Sequence, residues 1–434
     1  MKLKSILVAA VCCLSFGVSA HAQSTSGKQF VHANGIHFYK GDSQKPYYFL
    51  GTNLWYAPIL GSKGEGGNRQ RLCSELDSLQ KLGVNNLRIL VGADAGTKNS
   101  PTVTPYLQPK PGKLDKNLLE GLDYMLVEMQ KRGMLAVIYL TNSWDWSGGY
   151  GFYLKQCGLG DSPDAHGAEG YDAYVDYARK FFHYPKAQQL FYNFLQKVVS
   201  RKNSITGLPY SEDPTIMAWQ LCNEPRPFGK DEVPAFMEWV KHSSELIKKL
   251  DPNHMVSTGS EGIVGCNNDE ELCERVHNMP SIDYMTVHIW PANWGWANRS
   301  ALYDSLPNVY VKAKEYLDKH VRIAQSIDKP FVVEEFGYPR DNNFYTPGSA
   351  TGARDSFYKF IFTNLVESCK ANGPMAGCNF WGWGGSGRPA AEVWKGGDDF
   401  LCDPPHEPQG WYSVFDCDAS TVKVIEDAAA SLNK

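Results

Sequence analysis

Past its first two dozen residues the chain has no apolar run of the ~18 or more residues that a membrane helix requires. It carries no surplus of positive charge. Lys and Arg are scattered and the formal net charge is −4, so no electrostatic footprint for nucleic acid is present. No G-x-x-x-x-G-K-[ST] follows a strand-like segment, which removes P-loop phosphate chemistry. No H-E-x-x-H supplies paired zinc ligands, and no G-x-S-x-G elbow supplies an exposed nucleophilic serine. There is no low-complexity tract and no Pro/Thr/Ser linker to an appended module. Cofactor and metal are therefore not expected.

Cysteine is present but patterned for neither zinc nor redox work. Of 11 cysteines, Cys12 and Cys13 fall in the leader, and the other nine lie at Cys73, Cys157, Cys222, Cys266, Cys273, Cys369, Cys378, Cys402 and Cys417. An odd number leaves at least one thiol or an intermolecular bond. Cys266 with Cys273 and Cys402 with Cys417, each in a loop rich in Gly, Asp, Asn or Pro, are the expected local pairs. Cys222 lies within a strand-like run and is expected to be a buried structural thiol.

The first residues have the form of an export signal. Lys2 and Lys4 precede an apolar run from Ile6 to Val18, and Ala20-His21-Ala22 offers small residues for cleavage before Gln23. The expectation is a signal peptide at 1–22 and one catalytic domain at 23–434, secreted to the medium or to a periplasm and monomeric. Losing two lysines and no acid takes the mature charge to about −6. With 12 Trp and 23 Tyr, the chain is well supplied with the flat rings on which sugars stack, although most aromatic residues of any protein are core.

Eight short β-branched or aromatic runs alternate with amphipathic segments: Tyr47–Trp55, Asn86–Val91, Met134–Asn142, Thr215–Asn223, His254–Ser260, Tyr284–Trp290, Pro330–Gly337 and Gly377–Trp383. Between them Leu118, Leu119, Leu122, Met125, Leu126 and Met129 form a stripe at helical spacing, and Arg69–Leu82, Tyr171–Val199, Glu232–Leu250, Val311–Ile327 and Ala353–Ala371 behave alike. Strand–helix alternation repeated eight times predicts a parallel sheet closed into a (β/α)8 barrel. An open doubly wound sheet shares the alternation and differs in closure, which periodicity does not reveal.

In such a barrel the chemistry sits at the C-terminal strand ends. Nearly every predicted end carries unusual polar or aromatic residues: Asn53, Arg88, Asn142 with Trp144, Asn223-Glu224-Pro225-Arg226, His288 with Trp290, Glu334-Glu335, and Trp381. A lone strand-end Glu is as often the partner of a nearby Arg or Lys. Two Glu, on the fourth and seventh strands of one barrel, meet the need of glycoside hydrolysis for a proton donor and a second carboxylate.

The segments Trp219-Gln220-Leu221-Cys222-Asn223-Glu224-Pro225-Arg226 and Val332-Val333-Glu334-Glu335-Phe336-Gly337 resemble the signatures of glycoside hydrolase family 5. The likeness runs through the whole mature chain. It implies Glu224 as acid/base, Glu335 as nucleophile, and Asn223 as the contact for the sugar 2-hydroxyl. It further implies Arg88 as the cation keeping Glu335 ionised, His288 as the strand-six histidine, and Trp381 as the aromatic floor. By alternation along a strand, Glu334 is expected on the face away from the cleft. Where the family often has a Tyr that hydrogen-bonds the nucleophile, Trp290 stands, leaving its role between support of Glu335 and a subsite lining.

Gly51–Tyr56, Asn142-x-Trp144-Asp145 and Trp290–Trp296 resemble the β-mannanase branch. That resemblance implies retaining endo-hydrolysis of β-1,4-mannan, glucomannan or galactomannan. An exo-acting mannosidase or transglycosidase, an endo-β-1,4-glucanase, and a non-catalytic polysaccharide-binding barrel are the alternatives. Among Trp55, Trp144, Trp146, Trp294, Trp296, Trp381 and Trp383, the platforms expected are Trp381, Trp144 and Trp290. Ser143–Gly170 is expected as a surface loop walling the cleft. Arg226 is either a substrate contact or a partner in the neighbourhood of Glu224. Asn298-Arg299-Ser300 is a glycosylation sequon.

Overall fold

The computed structural model describes residues 29–432; the expected signal peptide lies outside them. Eight parallel strands form the centre: β1 Phe49–Asn53, β2 Asn86–Leu90, β3 Leu135–Tyr139, β4 Ile216–Gln220, β5 Met255–Ser257, β6 Met285–Ile289, β7 Phe331–Phe336 and β8 Met375–Phe380. Seven lie within the runs read from the sequence, and β8 begins two residues before its run, at Met375 rather than Gly377. Every residue in them is buried, as required of a sheet filled within and covered by helices without. The ladder runs β5-β4-β3-β2-β1-β8-β7-β6, with β8 paired to β1, and its two ends, β5 and β6, meet to make the closure that the alternation alone left open. The chain is a (β/α)8 barrel.

The joint between β5 and β6 differs from the other seven. Asp283 donates its N–H to the Val256 carbonyl at 2.8 Å, and Val256 donates back to the Asp283 carboxylate at 2.6 Å. Further up, Thr286 Oγ1 donates to the Ser260 carbonyl at 2.7 Å. Side chains thus do part of what a backbone ladder does elsewhere. β5 itself is three residues long.

A helix at Lys116–Lys131 carries the Leu/Met stripe inward and is capped by Asp115, whose carboxylate accepts the N–H groups of Asn117 and Leu118. The expected single helix over Tyr171–Val199 is instead Gly170–Ala178, a 3-10 turn at Arg179–His183, and Pro185–Val199. Pro185 has no N–H to continue a helix and stands at the first turn of a new one. The helix after β6 starts earlier than its stripe, at Leu306. The last helix, Ala419–Leu432, packs on Gly352–Lys370 and on β1. An N-terminal hairpin of Val31–Asn34 with His37–Lys40 precedes the barrel.

The Ser143–Gly170 segment is no plain surface loop. It holds a 3-10 turn at Asp145–Ser147 and a largely buried helix at Gly149–Gln156, because Tyr150 and Tyr153 pack into the aromatic cluster with Phe181. All nine described cysteines are thiols. The expected Cys402–Cys417 pair is not formed: Cys402 is buried with its Sγ toward the Asn53 carbonyl at 3.6 Å, whereas Cys417 is exposed. Cys266 and Cys273 are also free thiols, both buried, with Cys266 near enough to help push the Cys273 thiol up.

Candidate active site

The nucleophile candidate is positioned by an irregularity in β7. Val287 pairs with Val333, but the next residue, His288, pairs with Glu335. Glu334 is the extra residue of a β-bulge, which bends the strand and locally breaks its alternation. Glu334 and Glu335 therefore both turn into the barrel, correcting the expectation that Glu334 faces away. Arg88 forms ion pairs with both, through Nη1 to Glu335 and through Nε to Glu334 at 3.6 Å.

Arg88 is fully buried and fully engaged. Besides Glu335, Nη1 reaches Asn53 Oδ1 at 3.2 Å, Nη2 reaches Asn223 Oδ1 at 2.9 Å, and Nε reaches Gln220 Oε1 at 2.8 Å. Its guanidinium lies 4.5 Å from the Tyr139 ring centre. Glu334 braces this arginine on two sides: its carboxylate accepts from Gln220 Nε2, and its carbonyl accepts from Asn53 Nδ2 at 2.8 Å. Tyr284 O–H donates to the second carboxylate oxygen at 3.1 Å. Burial raises the Glu335 carboxyl well above the usual carboxylate range, and Arg88 opposes it. The downward pull of Arg88 is as expected, but desolvation exceeds it.

Glu224 follows β4 at φ +50°, a left-handed conformation that non-glycine residues rarely adopt. It is held there by its N–H to the Gly259 carbonyl at 2.9 Å and by Ser143 Oγ donating to its carbonyl at 2.7 Å. Gly259 permits this approach, since a Cβ there would sit 2.0 Å from the Cys222 carbonyl oxygen. The turn aims the Glu224 carboxyl across the mouth. Trp144 Nε1–H donates to its Oε2 at 2.6 Å, and His288 Nδ1 lies 2.8 Å from its Oε1 and 3.3 Å from Glu335 Oε2. One oxygen of each glutamate and a nitrogen of His288 fall within 4.8 Å of one another. Burial, with Arg88 nearby, keeps His288 well below its ordinary value and neutral. Its Nε2 is buried without a partner.

Around this pair lies a cavity of about 400 Å3. Its walls include Trp144, Trp290, Trp294 and Trp381, all from segments that leave strand ends. Trp290 packs edge-on against Trp381 and Tyr412 with ring centres 5.8 and 5.1 Å apart, a lining position. Trp55 and Trp383 are spent on packing: their indole N–H groups donate to the Cys402 carbonyl and to Glu75, each at 2.8 Å. The side chain of Asn223 is shared between Arg88 and Asn142, whose Oδ1 accepts from Nδ2 at 3.2 Å. The structure thus brings Arg88, Asn223, Glu224, His288, Glu335, Trp144, Trp290 and Trp381 to one mouth.

Several lining residues escaped the sequence reading. Glu261, just after β5, forms a two-pronged ion pair with Arg226 at 2.5 Å; a strand-end acid opposite an Asn-Glu-Pro-Arg was its available signal. Tyr171 accepts from Arg226 Nη1 at 3.3 Å and stands beside Trp144. His166, Asn293, Arg299, His406 and Glu407 also line the cavity. They come from long aperiodic segments, where no pattern marks one residue over its neighbours.

The family profile described as "GH family 5 beta-mannosidase-like" matches residues 28–434. Among curated relatives, a mannan endo-1,4-β-mannosidase of Oryza sativa subsp. japonica is 27% identical over 87% of this chain and 83% of its own length. One of Arabidopsis thaliana is 28% identical, over 81% and 78%. A glycoside hydrolase family 5 mannosidase from Rhizomucor miehei superposes with a TM-score of 0.85 at 34% identity, covering 94% of this chain and 98% of that one. An endo-1,4-β-mannanase from Rhizomucor miehei, at TM-score 0.65 and 21% identity, shares the fold.

Proposed function

Because the chain belongs to the β-mannosidase-like family of glycoside hydrolase family 5, we propose that it hydrolyses internal β-1,4-mannosidic bonds of mannan, glucomannan or galactomannan with retention. The observation that carries the stereochemistry is the close approach of Glu224 and Glu335, with carboxylate oxygens within 4.8 Å. Retaining enzymes hold the pair ~5–5.5 Å apart, whereas inverting ones need ~6.5–9.5 Å to admit a water between.

In the proposed reaction Glu335 attacks the anomeric carbon while Glu224 gives its proton to the departing glycosidic oxygen. An ester between Glu335 and the sugar results. Glu224 then takes a proton from water, which attacks the same carbon and releases Glu335. Arg88 holds Glu335 from below. Trp144 and His288 fix the two oxygens of Glu224, so the acid needs no reorganisation. Asn223 is offered to the 2-hydroxyl, and Trp381, Trp290 and Trp144 to the sugar faces. The enzyme is further proposed to be a single exported catalytic domain that acts as a monomer on polysaccharide. Among the described residues no helix is long and apolar enough to cross a membrane.

One observation favours exo action as a second reading. The His166 and His406 rings stack 4.4 Å apart across one side of the cavity, and Glu407 closes the same side. Product analysis on mannohexaose separates the modes: di- and trisaccharides from internal cleavage support endo action, and stepwise release of mannose supports exo action. Glu224→Ala and Glu335→Ala are each expected to abolish activity in a folded protein. Full activity in either, or faster turnover of carboxymethylcellulose than of mannan, overturns the proposal.

A further inference from the structure

The proposed reaction gives Glu261 no part, yet its carboxylate is buried at the mouth beside the acid. It grips Arg226 with both oxygens, each at 2.5 Å. Taking two charges out of water costs about as much as their attraction returns, so a buried ion pair is poor evidence of stability. What a two-pronged pair does supply is a fixed position and orientation for both groups. Arg226 is two residues beyond Glu224, and Pro225 between them has a locked backbone torsion. Glu224 itself stands at φ +50°, a conformation that persists only where its surroundings over-determine it. Gly259 and Ser143 hold its own backbone, and the grip of Glu261 on Arg226 holds the chain that leaves it.

The same grip reaches the Glu224 carboxyl. The Arg226 guanidinium lies 5.3 Å from the Trp144 ring centre, within the ~6 Å of a cation–π contact, and Tyr174 stacks on Trp144 at 5.7 Å. Trp144, so held, donates its N–H to Glu224 Oε2 at 2.6 Å. The other oxygen, Oε1, faces His288 Nδ1. The Glu261 carbonyl accepts the backbone N–H of His288 at 3.3 Å and the Tyr316 O–H at 2.6 Å. Glu261 therefore stands behind both hydrogen-bond partners of the acid, by its side chain for Trp144 and by its main chain for His288. The side-chain route, through Arg226 and Trp144, includes neither Glu335 nor Arg88.

We propose that Glu261 is a positioning residue for the acid/base Glu224. Acting through Arg226 and Trp144, it sets where the proton is given to the leaving oxygen and where it is taken from water, and it leaves the attack by Glu335 untouched. The inference rests on the glycoside hydrolase reading of the site. A proton donor displaced by a fraction of its hydrogen-bond length loses much of its effect, so a residue that never meets the sugar still governs two steps of the reaction.

The test uses 2,4-dinitrophenyl β-mannoside, whose leaving group departs without a proton, and Glu261→Gln, which keeps the size of the side chain but not its charge. Attack by Glu335 needs no acid on this substrate, so kcat/KM is expected to be unchanged. Release of the sugar needs Glu224 to take a proton from water, so kcat is expected to fall by ~10–100-fold, part of the ~10²–10⁴ that acid–base assistance contributes. KM falls with it as the Glu335 ester accumulates. Azide attacks the ester carbon as an anion, displaces the Glu335 carboxylate and transfers no proton; it is expected to restore kcat and to yield β-mannosyl azide. On mannotetraose, whose departing hydroxyl needs the proton, kcat/KM is expected to fall by a factor similar to the fall in kcat. Arg226→Lys keeps the charge but not the planar fork; it should show the same split, and it serves if Glu261→Gln does not fold. Equal loss of kcat/KM on both substrates, a kcat insensitive to azide, or a raised KM for mannotetraose as the sole change overturns the proposal. A wild-type enzyme that releases no dinitrophenol refutes the hydrolase reading itself, before any variant is compared.

Discussion

Replacing Arg88 tests how the candidate nucleophile is kept ready. Among the described residues the guanidinium is the one cation in contact with Glu335 and Glu334, and all three groups are buried. Desolvation already holds the Glu335 carboxyl high, with Arg88 as the largest opposing influence. An opposite charge at this range depresses a carboxyl by ~1–3 units. Arg88→Met, which fills much of the space without charge, therefore moves the acid limb of the kcat/KM profile upward by about that amount. The sign follows from loss of a positive charge disfavouring the ionised form. At a pH below both limbs the rate falls by ~10–1,000-fold, and part of it returns as the pH is raised. The assay is kcat/KM on mannotetraose from pH 4 to 9, with near-ultraviolet circular dichroism to confirm the fold. Arg88→Lys keeps the charge while losing the four-way hydrogen bonding, and serves if the methionine variant does not fold. It should lose rate with a smaller movement of the limb. A variant that loses rate equally at every pH, its acid limb unmoved, refutes the electrostatic role.

The bulged neighbour should act in the opposite direction. Glu334→Gln removes a carboxylate that competes for Arg88, so the acid limb moves down by a fraction of a unit; an unmoved limb with unchanged kcat would show that Glu334 only fills space. Two buried histidines predict acid lability. His277 and His320 are held neutral by burial, at about 4 and about 3 against an ordinary 6.5. An unfolded chain takes up protons below pH 6.5 that the folded one refuses, so the stabilisation present above 6.5 drains away toward 4. By pH 4.5 this costs about 2–3 kcal/mol per histidine. His320→Gln, which can still accept from Ile263 N–H and donate to the Tyr316 carbonyl, should shrink the drop in Tm between pH 6.5 and 4.5; an unchanged drop counts against the linkage. Finally, the neighbouring buried Cys266 and Cys273 thiols are expected to be joined in protein recovered from an oxidising compartment. Peptide mapping under non-reducing conditions checks this, and alkylation of both refutes it.

The sequence carried the barrel because eight buried runs separated by amphipathic helices have few other ways to cover their faces. It carried Glu224 and Asn223 because both sit just past the end of a regular strand, and Arg88 because a charged residue stands out in the middle of an otherwise apolar buried strand. It failed at Glu334, where period-2 reasoning presumes an unbroken ladder and a bulge is invisible without the partner strand. It failed at Cys402 because loop composition says nothing about which way a side chain faces. His166 and His406 meet across 240 residues of chain, a contact that only the closed barrel creates.

The joint between β5 and β6 has a consequence for how the barrel moves. A full staircase of backbone bonds opens one step at a time, but here backbone bonds from Asp283 to Val256 and from His288 to Glu261 alternate with carboxylate and hydroxyl bonds that let go when side chains rotate. Native-state hydrogen exchange should therefore find β5 releasing its amides before any other central strand. New termini placed between β5 and β6 would cost the fold least there. The wall that carries Glu261 to the mouth hangs from this joint, so the breathing of the barrel reaches the substrate from that side.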